Sequence, residues 1–258
     1  MKIKFGPAGL GPVKTAEQVL ENYKKRGFGA CEIAFTYGIY IKKEEDALRI
    51  GKKASELGID LSIHAPYWVN LNSAEKAKRE STKKRILACC EIGELMDVKK
   101  VVFHPGFYGK KKEEAYKNIR DGVLDMMKEV KKNKWKIKLA PETMGKVNVF
   151  GSAEEVAKLV KDIGCSFCLD FSHIIARNQG KIDFGKIKKL FPQKKWHVHF
   201  SGIEYGKLGE KRHISTKQKY WRFLFKNLPK NKDITIINES PTMIDDCVEG
   251  LKIYRKFV

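Results

Sequence analysis

The sequence predicts an α/β fold, a single-domain (β/α)8 barrel over residues 1–258 with its site at the C-terminal face of the strands. Three observations lead there. Eight short β-rich runs alternate with eight amphipathic, Lys/Glu-rich segments, and connections that long between consecutive strands require parallel crossovers. The run Val101-Val102-Phe103 is apolar throughout, as a strand covered on both faces must be. At 258 residues and 42% hydrophobic, the chain carries enough apolar matter for one barrel core.

Lys2 to Gly6 reads as the first strand, followed by a helix over Thr15 to Arg26 in which Thr15 and Gln18 have capping-box spacing. Phe28 to Phe35 is the second strand. The helix Glu44 to Leu57 stops at Gly58, a residue favoured just past a helix end. Ile59 to His64 is strand three, and a long helix from Ala74 to Met96 follows with Leu87, Cys90 and Glu94 on its stripe. Val101 to Phe103 leads to a helix over Glu113 to Lys131. Ile137 to Ala140 leads to a helix that opens with a Ser152/Glu155 capping box and runs to Asp162. Cys165 to Phe171 is strand six, with a shorter helix over Phe184 to Leu190 behind it. Trp196 to Phe200, a helix over Lys217 to Asn227, Ile234 to Asn238 and a last helix over Ile244 to Lys256 complete the pattern.

A formal net charge of +21 and a pI of 9.6 draw in polyanions and repel cationic partners. A Lys-rich solvated surface gives the same excess, so charge alone does not select nucleic acid. Six cysteines invite a disulfide reading, but Cys165 and Cys168 lie in an apolar strand run and Cys89 and Cys90 in a helical one. They are expected to be reduced, buried thiols. The N-terminus lacks the apolar core of a signal peptide, and no apolar run approaches the roughly 18 residues of a spanning helix. A soluble, cytoplasmic protein with no membrane association is the expectation.

In a (β/α)8 barrel the loops after the strands build the site, so a polar residue at a strand's C-terminal end reads as chemistry. Six consecutive strands end in a residue type that binds divalent metal: His64, His104, Glu142, Asp170, His199 and Glu239. Singly, each has a plainer explanation, because a strand-end His is usually a hydrogen-bonded structural residue and a buried acid usually pairs with Arg or Lys. Jointly they crowd three carboxylates and three imidazoles around one mouth, and carboxylates so close need a cation to stay ionised. Imidazole and carboxylate ligation together suit Zn²⁺, with Mn²⁺ or Fe²⁺ as alternatives. Several metals in one site can activate water and clamp a phosphate, the logic of phosphodiester hydrolysis. His197 is expected to point away from His199, towards the helices.

The segments Ile63-His64-Ala65-Pro66-Tyr67, Phe103-His104-Pro105-Gly106, Ala140-Pro141-Glu142-Thr143, Leu169-Asp170-Phe171-Ser172-His173, Val198-His199-Phe200 and Asn238-Glu239-Ser240-Pro241 resemble, in order, the signatures of endonuclease IV. That family is the apurinic/apyrimidinic endonuclease branch of the xylose-isomerase-like TIM barrels. The resemblance implies a zinc phosphodiesterase that cuts double-stranded DNA 5′ to an abasic site and trims 3′-blocking groups; a monomer is the expectation. It implies one zinc on His64, His104 and Glu142, and a second on Glu142, Asp170, His199 and Glu239, with Glu142 and Glu239 in the catalytic set. His173 and His213 would hold a third. Family members carry Asp-Arg-His where this chain has Lys211-Arg212-His213, so the Asp ligand is replaced by lysine. Glu210 is the candidate substitute, and the expected content is two or three ions.

Tyr67 stands where the family places a Tyr beside the extruded abasic sugar. Lys110, Lys111, Lys211 and Arg212 lie in basic loop runs and are the candidate phosphate contacts, with Arg177, Asn70 and Asn72, in loops on the same side, weaker candidates. Two other readings stand beside this one. A sugar or sugar-acid isomerase or epimerase on the same barrel would use fewer ligands, and a non-cutting lesion-binding protein would follow if Lys211 cripples the third site.

Overall fold

The computed structural model describes residues 2–257. Seven parallel strands come first: β1 (Lys2–Pro7), β2 (Ala30–Ala34), β3 (Asp60–His64), β4 (Lys100–Phe103), β5 (Lys138–Pro141), β6 (Leu169–Asp170) and β7 (Lys195–His199). An antiparallel hairpin, β8 (Gly202–Gly206) and β9 (Gly209–Ile214), is followed by β10 (Asp233–Asn238), the eighth barrel strand. β2-β3-β4-β5 and β6-β7-β10-β1 form two parallel four-stranded sheets. At one seam Glu142, just past β5, pairs with Cys168, just before β6. At the other the Gly29 N–H donates to the Phe5 carbonyl at 3.0 Å, so the strands follow one another around a ring in chain order. A Cβ on Gly6 would lie 1.8 Å from the Ala30 carbonyl oxygen, so only glycine lets β1 and β2 come this close.

Outside the ring run α1 (Ala16–Lys25), α2 (Glu44–Leu57), α3 (Lys76–Leu95), α4 (Lys112–Lys132), α5 (Ala153–Ile163), α6 (Phe171–Arg177), α7 (Phe184–Leu190), α8 (Gln218–Asn227) and α9 (Met243–Tyr254). α2 ends at Gly58 with φ 66°, and α5 opens with the predicted capping box between Ser152 and Glu155. The predicted box on α1 does not form. The Thr15 hydroxyl instead donates to the Pro12 carbonyl, within a short 3-10 turn over Val13–Thr15. The buried stripe of α3 is Thr82, Ile86, Cys89, Cys90 and Gly93, while Leu87 and Glu94 sit at its flank. Gly93 sets that rotation, since a Cβ there would meet Ile63 and Ile137 at 3.0 Å. All six cysteines are buried free thiols, and no helix among the described residues is long and apolar enough to cross a membrane.

Two elements depart from the sequence reading. The run from Cys165 is extended only as β6, because Asp170 is already the N-cap of α6: its Oδ1 accepts the His173 N–H at 2.8 Å and starts the helix at once. Arg177, expected in a loop, therefore ends a helix. Similarly, Glu210 to His213 lie not in a loop but on β9.

Candidate metal centre

The ends of β3 to β7 and β10 bring their polar side chains to one mouth, and Glu142 is the hub. Its fully buried carboxylate has Oε2 3.3 Å from His64 Nε2 and 3.1 Å from His104 Nε2, with Oε1 3.0 Å from His199 Nδ1 and 3.5 Å from His173 Nδ1. Asp170 Oδ2 is 3.3 Å from His173 Nδ1, and Glu239 Oε2 is 3.3 Å from His199 Nδ1 and 3.9 Å from His213 Nε2. Backbone hydrogen bonds fix these ends: Glu142 N–H donates to the Phe103 carbonyl at 3.1 Å, and Asp170 N–H to Thr143 Oγ1 at 2.8 Å. Asn238 Nδ2 donates to the Phe200 carbonyl and to Thr216 Oγ1, both at 2.8 Å, and so anchors the residue before Glu239.

Of four sets of potential ligand atoms among the described residues, each within 4.8 Å, one is the buried group Cys168, His197 and His199, and three line the mouth: His64, His104 and Glu142; Glu142, Asp170, His199 and Glu239; and Asp170, His173 and His213. Of these three, Glu142 joins the first two and Asp170 the last two. The donor chemistry fits divalent cations bound by nitrogen and oxygen. Asp170 Oδ2 is buried without a hydrogen bond, which is costly unless something completes it.

The charges are interlocked. Burial pushes the Glu142 carboxyl up, but His199, His104 and His64 outweigh it and hold the group well below the usual carboxylate range. Burial is likewise outweighed at Glu239, which His199 pulls down to about 2. Asp170 goes the other way, since burial raises it more than His173 and His213 lower it. His199 and His173 are lifted well above the ordinary imidazole value against burial, His199 by Cys168 and the acids around it, His173 by Asp170 and Glu210. His104 is lowered by burial. The pocket thus favours ionised Glu142 and Glu239 alongside protonated His199 and His173, and cations would take the place of those protons.

The third set gains a fourth member from the hairpin. Glu210 Oε2 is 3.3 Å from His173 Nε2, and His173 with other nearby cations brings its carboxyl down to about 2 in spite of burial. Residues 210 and 213, three apart, fall on opposite faces of a regular strand. Here Tyr205 pairs with Glu210 and Glu204 with Arg212, so Lys211 is the extra residue of a β-bulge. The bulge shifts the phase and lets both Glu210 and His213 meet His173. Lys211 points out, 61% exposed and 3.6 Å from Glu204. Gly145 makes room, since a Cβ there would lie 2.6 Å from Glu210 Cβ.

The chain matches the model of the xylose isomerase-like TIM barrel over residues 20–257. It belongs to that family. An uncharacterized protein of Methanocaldococcus jannaschii is 34% identical, covering 98% of this chain and 97% of the relative. A probable endonuclease 4 of Acholeplasma laidlawii is 27% identical over 83% of this chain and 80% of the relative. Among solved structures, endonuclease IV from Thermus thermophilus superposes with a TM-score of 0.72 at 19% identity, covering 98% of both chains. D-psicose 3-epimerase superposes with a TM-score of 0.70 at 18% identity, also covering 98% of both chains. At such identities the two structures report the fold.

Within this xylose isomerase-like barrel, the rim carries the other predicted residues. Tyr67, 48% exposed, stacks on His104 with ring centroids 5.3 Å apart. Tyr37 and Trp68, which the sequence reading passed over, pack with it to make an exposed aromatic cluster. Lys110 and Lys111 are exposed ahead of α4, and Arg212 is exposed on β9, paired with Glu204 at 2.8 Å. Arg177 spends its guanidinium on the carbonyls of Met144, Lys146 and Val149 and on the Tyr108 hydroxyl. Asn70 and Asn72 tie the loop after β3 to the one after β4, through Phe107 and Tyr108.

The principal omission is Glu32, fully buried on β2. Its Oε2 accepts from Ser62 Oγ at 2.7 Å and lies 3.0 Å from His197 Nε2, while Oε1 lies 2.8 Å from His199 Nε2. An acid in the apolar run Ala30-Cys31-Glu32-Ile33-Ala34 was the available signal. His197 is also corrected: two residues from His199, it shares the inner face of β7 and meets the same carboxylate.

Proposed function

We propose that the chain is a divalent-metal phosphodiesterase that nicks double-stranded DNA 5′ to abasic sites and trims blocked 3′ ends. The observation that carries this reading is the run of three contiguous donor sets sharing Glu142 and Asp170, more ligands than a single-metal sugar enzyme uses. His64, His104 and Glu142 would hold one cation, Glu142, Asp170, His199 and Glu239 a second, and Asp170, His173, His213 and Glu210 a third. When bound, zinc or manganese supplies water activation and charge neutralisation at phosphorus. Glu142 would be common to the first two sites, and Glu239, ionised and 16% exposed, would accept a hydrogen bond from an incoming water at the open edge of the site. His104 and His213, each 22% exposed, mark the side from which a phosphate enters. Tyr67 offers a ring face to an extruded lesion, where stacking contributes about 1–3 kcal/mol. Lys110, Lys111, Lys211 and Arg212 supply positive charge for the DNA backbone around the mouth.

An oligonucleotide duplex with one abasic site, incubated with and without chelator, tests the reading. Chelator-sensitive incision is expected. Turnover of a free ketose with no incision would replace the proposal by an epimerase, the reading that the likeness to D-psicose 3-epimerase supports. Tight abasic-duplex binding without nicking, with Zn²⁺ or Mn²⁺ added, would leave a lesion-binding protein.

A further inference from the structure

The opposite end of the barrel carries a feature that the metal centre does not use. A recess of about 1210 Å³ opens at the strand starts, lined by eight lysines against two aspartates. Several half-buried lysines of this chain have partners: Lys4 meets Asp60 at 2.6 Å, Lys53 meets Glu21 at 3.0 Å and Lys83 meets Glu80 at 2.9 Å. Lys100, Lys138 and Lys195, the first residues of β4, β5 and β7, have no ion pair among the described residues. Lys100 and Lys138 face each other in register, an arrangement that is destabilising between like charges on adjacent strands. Lys195 is in register with Asp233, yet no ion pair joins them. Lys100 is half-buried, with its ammonium 6.0 Å from the Phe167 ring. Burial, with Lys138 and Lys195 adding to it, pulls that ammonium down to about 8.

A folded chain retains a local conflict of this kind where function requires it. Lys100 and Lys138 start adjacent strands and Lys195 starts a strand two places further round, so an anion with charge spread over several groups suits the three better than a single phosphate. The walls add Trp135 and Phe167, and Ser62 and His197 close the floor. We propose that the recess binds a condensed phosphate chain, free or carried by a nucleoside triphosphate, on Lys100, Lys138 and Lys195. The recess lies at the opposite ends of the strands from the metal centre, with Ser62, His197 and Glu32 between them.

Calorimetric titration of the full, metal-loaded chain at physiological ionic strength tests the proposal, with sodium tripolyphosphate, ATP and orthophosphate as probes. Tripolyphosphate is expected to bind clearly tighter than orthophosphate. Lys100→Gln and Lys138→Gln should each weaken it about tenfold, the loss of one charge-assisted hydrogen bond. Lys110→Gln/Lys111→Gln, on the metal face, should leave it unchanged. ATP tighter than tripolyphosphate assigns the recess to a nucleotide, through Trp135; the reverse assigns it to the free chain. Lys195→Gln, at an exposed position, serves if a variant at β4 or β5 fails to fold. Binding that survives all three lysine variants, or no binding, overturns the proposal. So does displacement of tripolyphosphate by a lesion-free duplex in a Lys100-dependent way, which would make the recess a nucleic-acid surface.

Discussion

Glu32 and Glu210 are the two acids that complete the geometry around the strand-end ligands, and they act in different ways. Glu32 touches no phosphate path. It grips His199 Nε2 from below while His199 Nδ1 faces Glu142 and Glu239, and a carboxylate behind a ligand imidazole fixes its tautomer and raises its basicity. Glu32→Gln should keep the fold and lower divalent-metal affinity about 10–100-fold, read by competition with a chromophoric chelator. Unchanged affinity would reduce Glu32 to a packing residue. Glu210 reaches His173 directly, so Glu210→Gln should lower the metal content of the purified protein by one equivalent per chain. Lys211→Asp, which restores the acid seen in the endonuclease IV family, should leave the content unchanged because the bulge turns that side chain outward. A gain of metal in Lys211→Asp would show that the bulge does not hold.

The elements divide by whether they bury a face. β1 to β5, β7, β10 and most helices were legible because each turns an apolar stripe or run to the core, and the strand-end ligands followed from the barrel itself. The β8–β9 hairpin was not, since Gly202 to Ile214 packs no continuous apolar face and its decisive bulge leaves no periodic trace. α6 was hidden because Asp170 serves at once as strand end, helix cap and candidate ligand. Glu32 lies in mid-strand, where a search of strand ends does not look. The ring also depends on close backbone approach that no pattern of hydrophobicity reports. Gly6→Ala should therefore destabilise the chain by about 3 kcal/mol or more, since the added methyl meets the Ala30 carbonyl and not a yielding side chain. A denaturant midpoint equal to that of the parent would show that the β1–β2 seam moves apart freely.

Across the whole molecule positive charge is widespread, and the lysines of the recess and those of the metal face respond to pH and salt differently. On the recess face, the folded ammonium of Lys100 loses its proton at about 8, below the unfolded value of about 10.4. The unfolded chain then binds more protons between those values, and stability rises with pH across that window. Lys100→Gln removes the strain, so it should be more stable than the parent at neutral pH by about 1–2 kcal/mol after solvent screening. The difference should vanish above the unfolded pKa; a constant difference in thermal melts across that range would refute the argument. On the metal face, Lys110 and Lys111 are exposed in the loop before α4. Affinity for an abasic duplex should fall steeply with salt, and the double variant Lys110→Gln/Lys111→Gln should flatten the logarithmic slope by about 0.9 for each phosphate it no longer neutralises. Lys100→Gln/Lys138→Gln should leave that slope as it is, because a duplex seated on the metal centre does not reach the strand starts. Equal flattening by both double variants would mean that DNA wraps the barrel, or that the charge acts only as a general field.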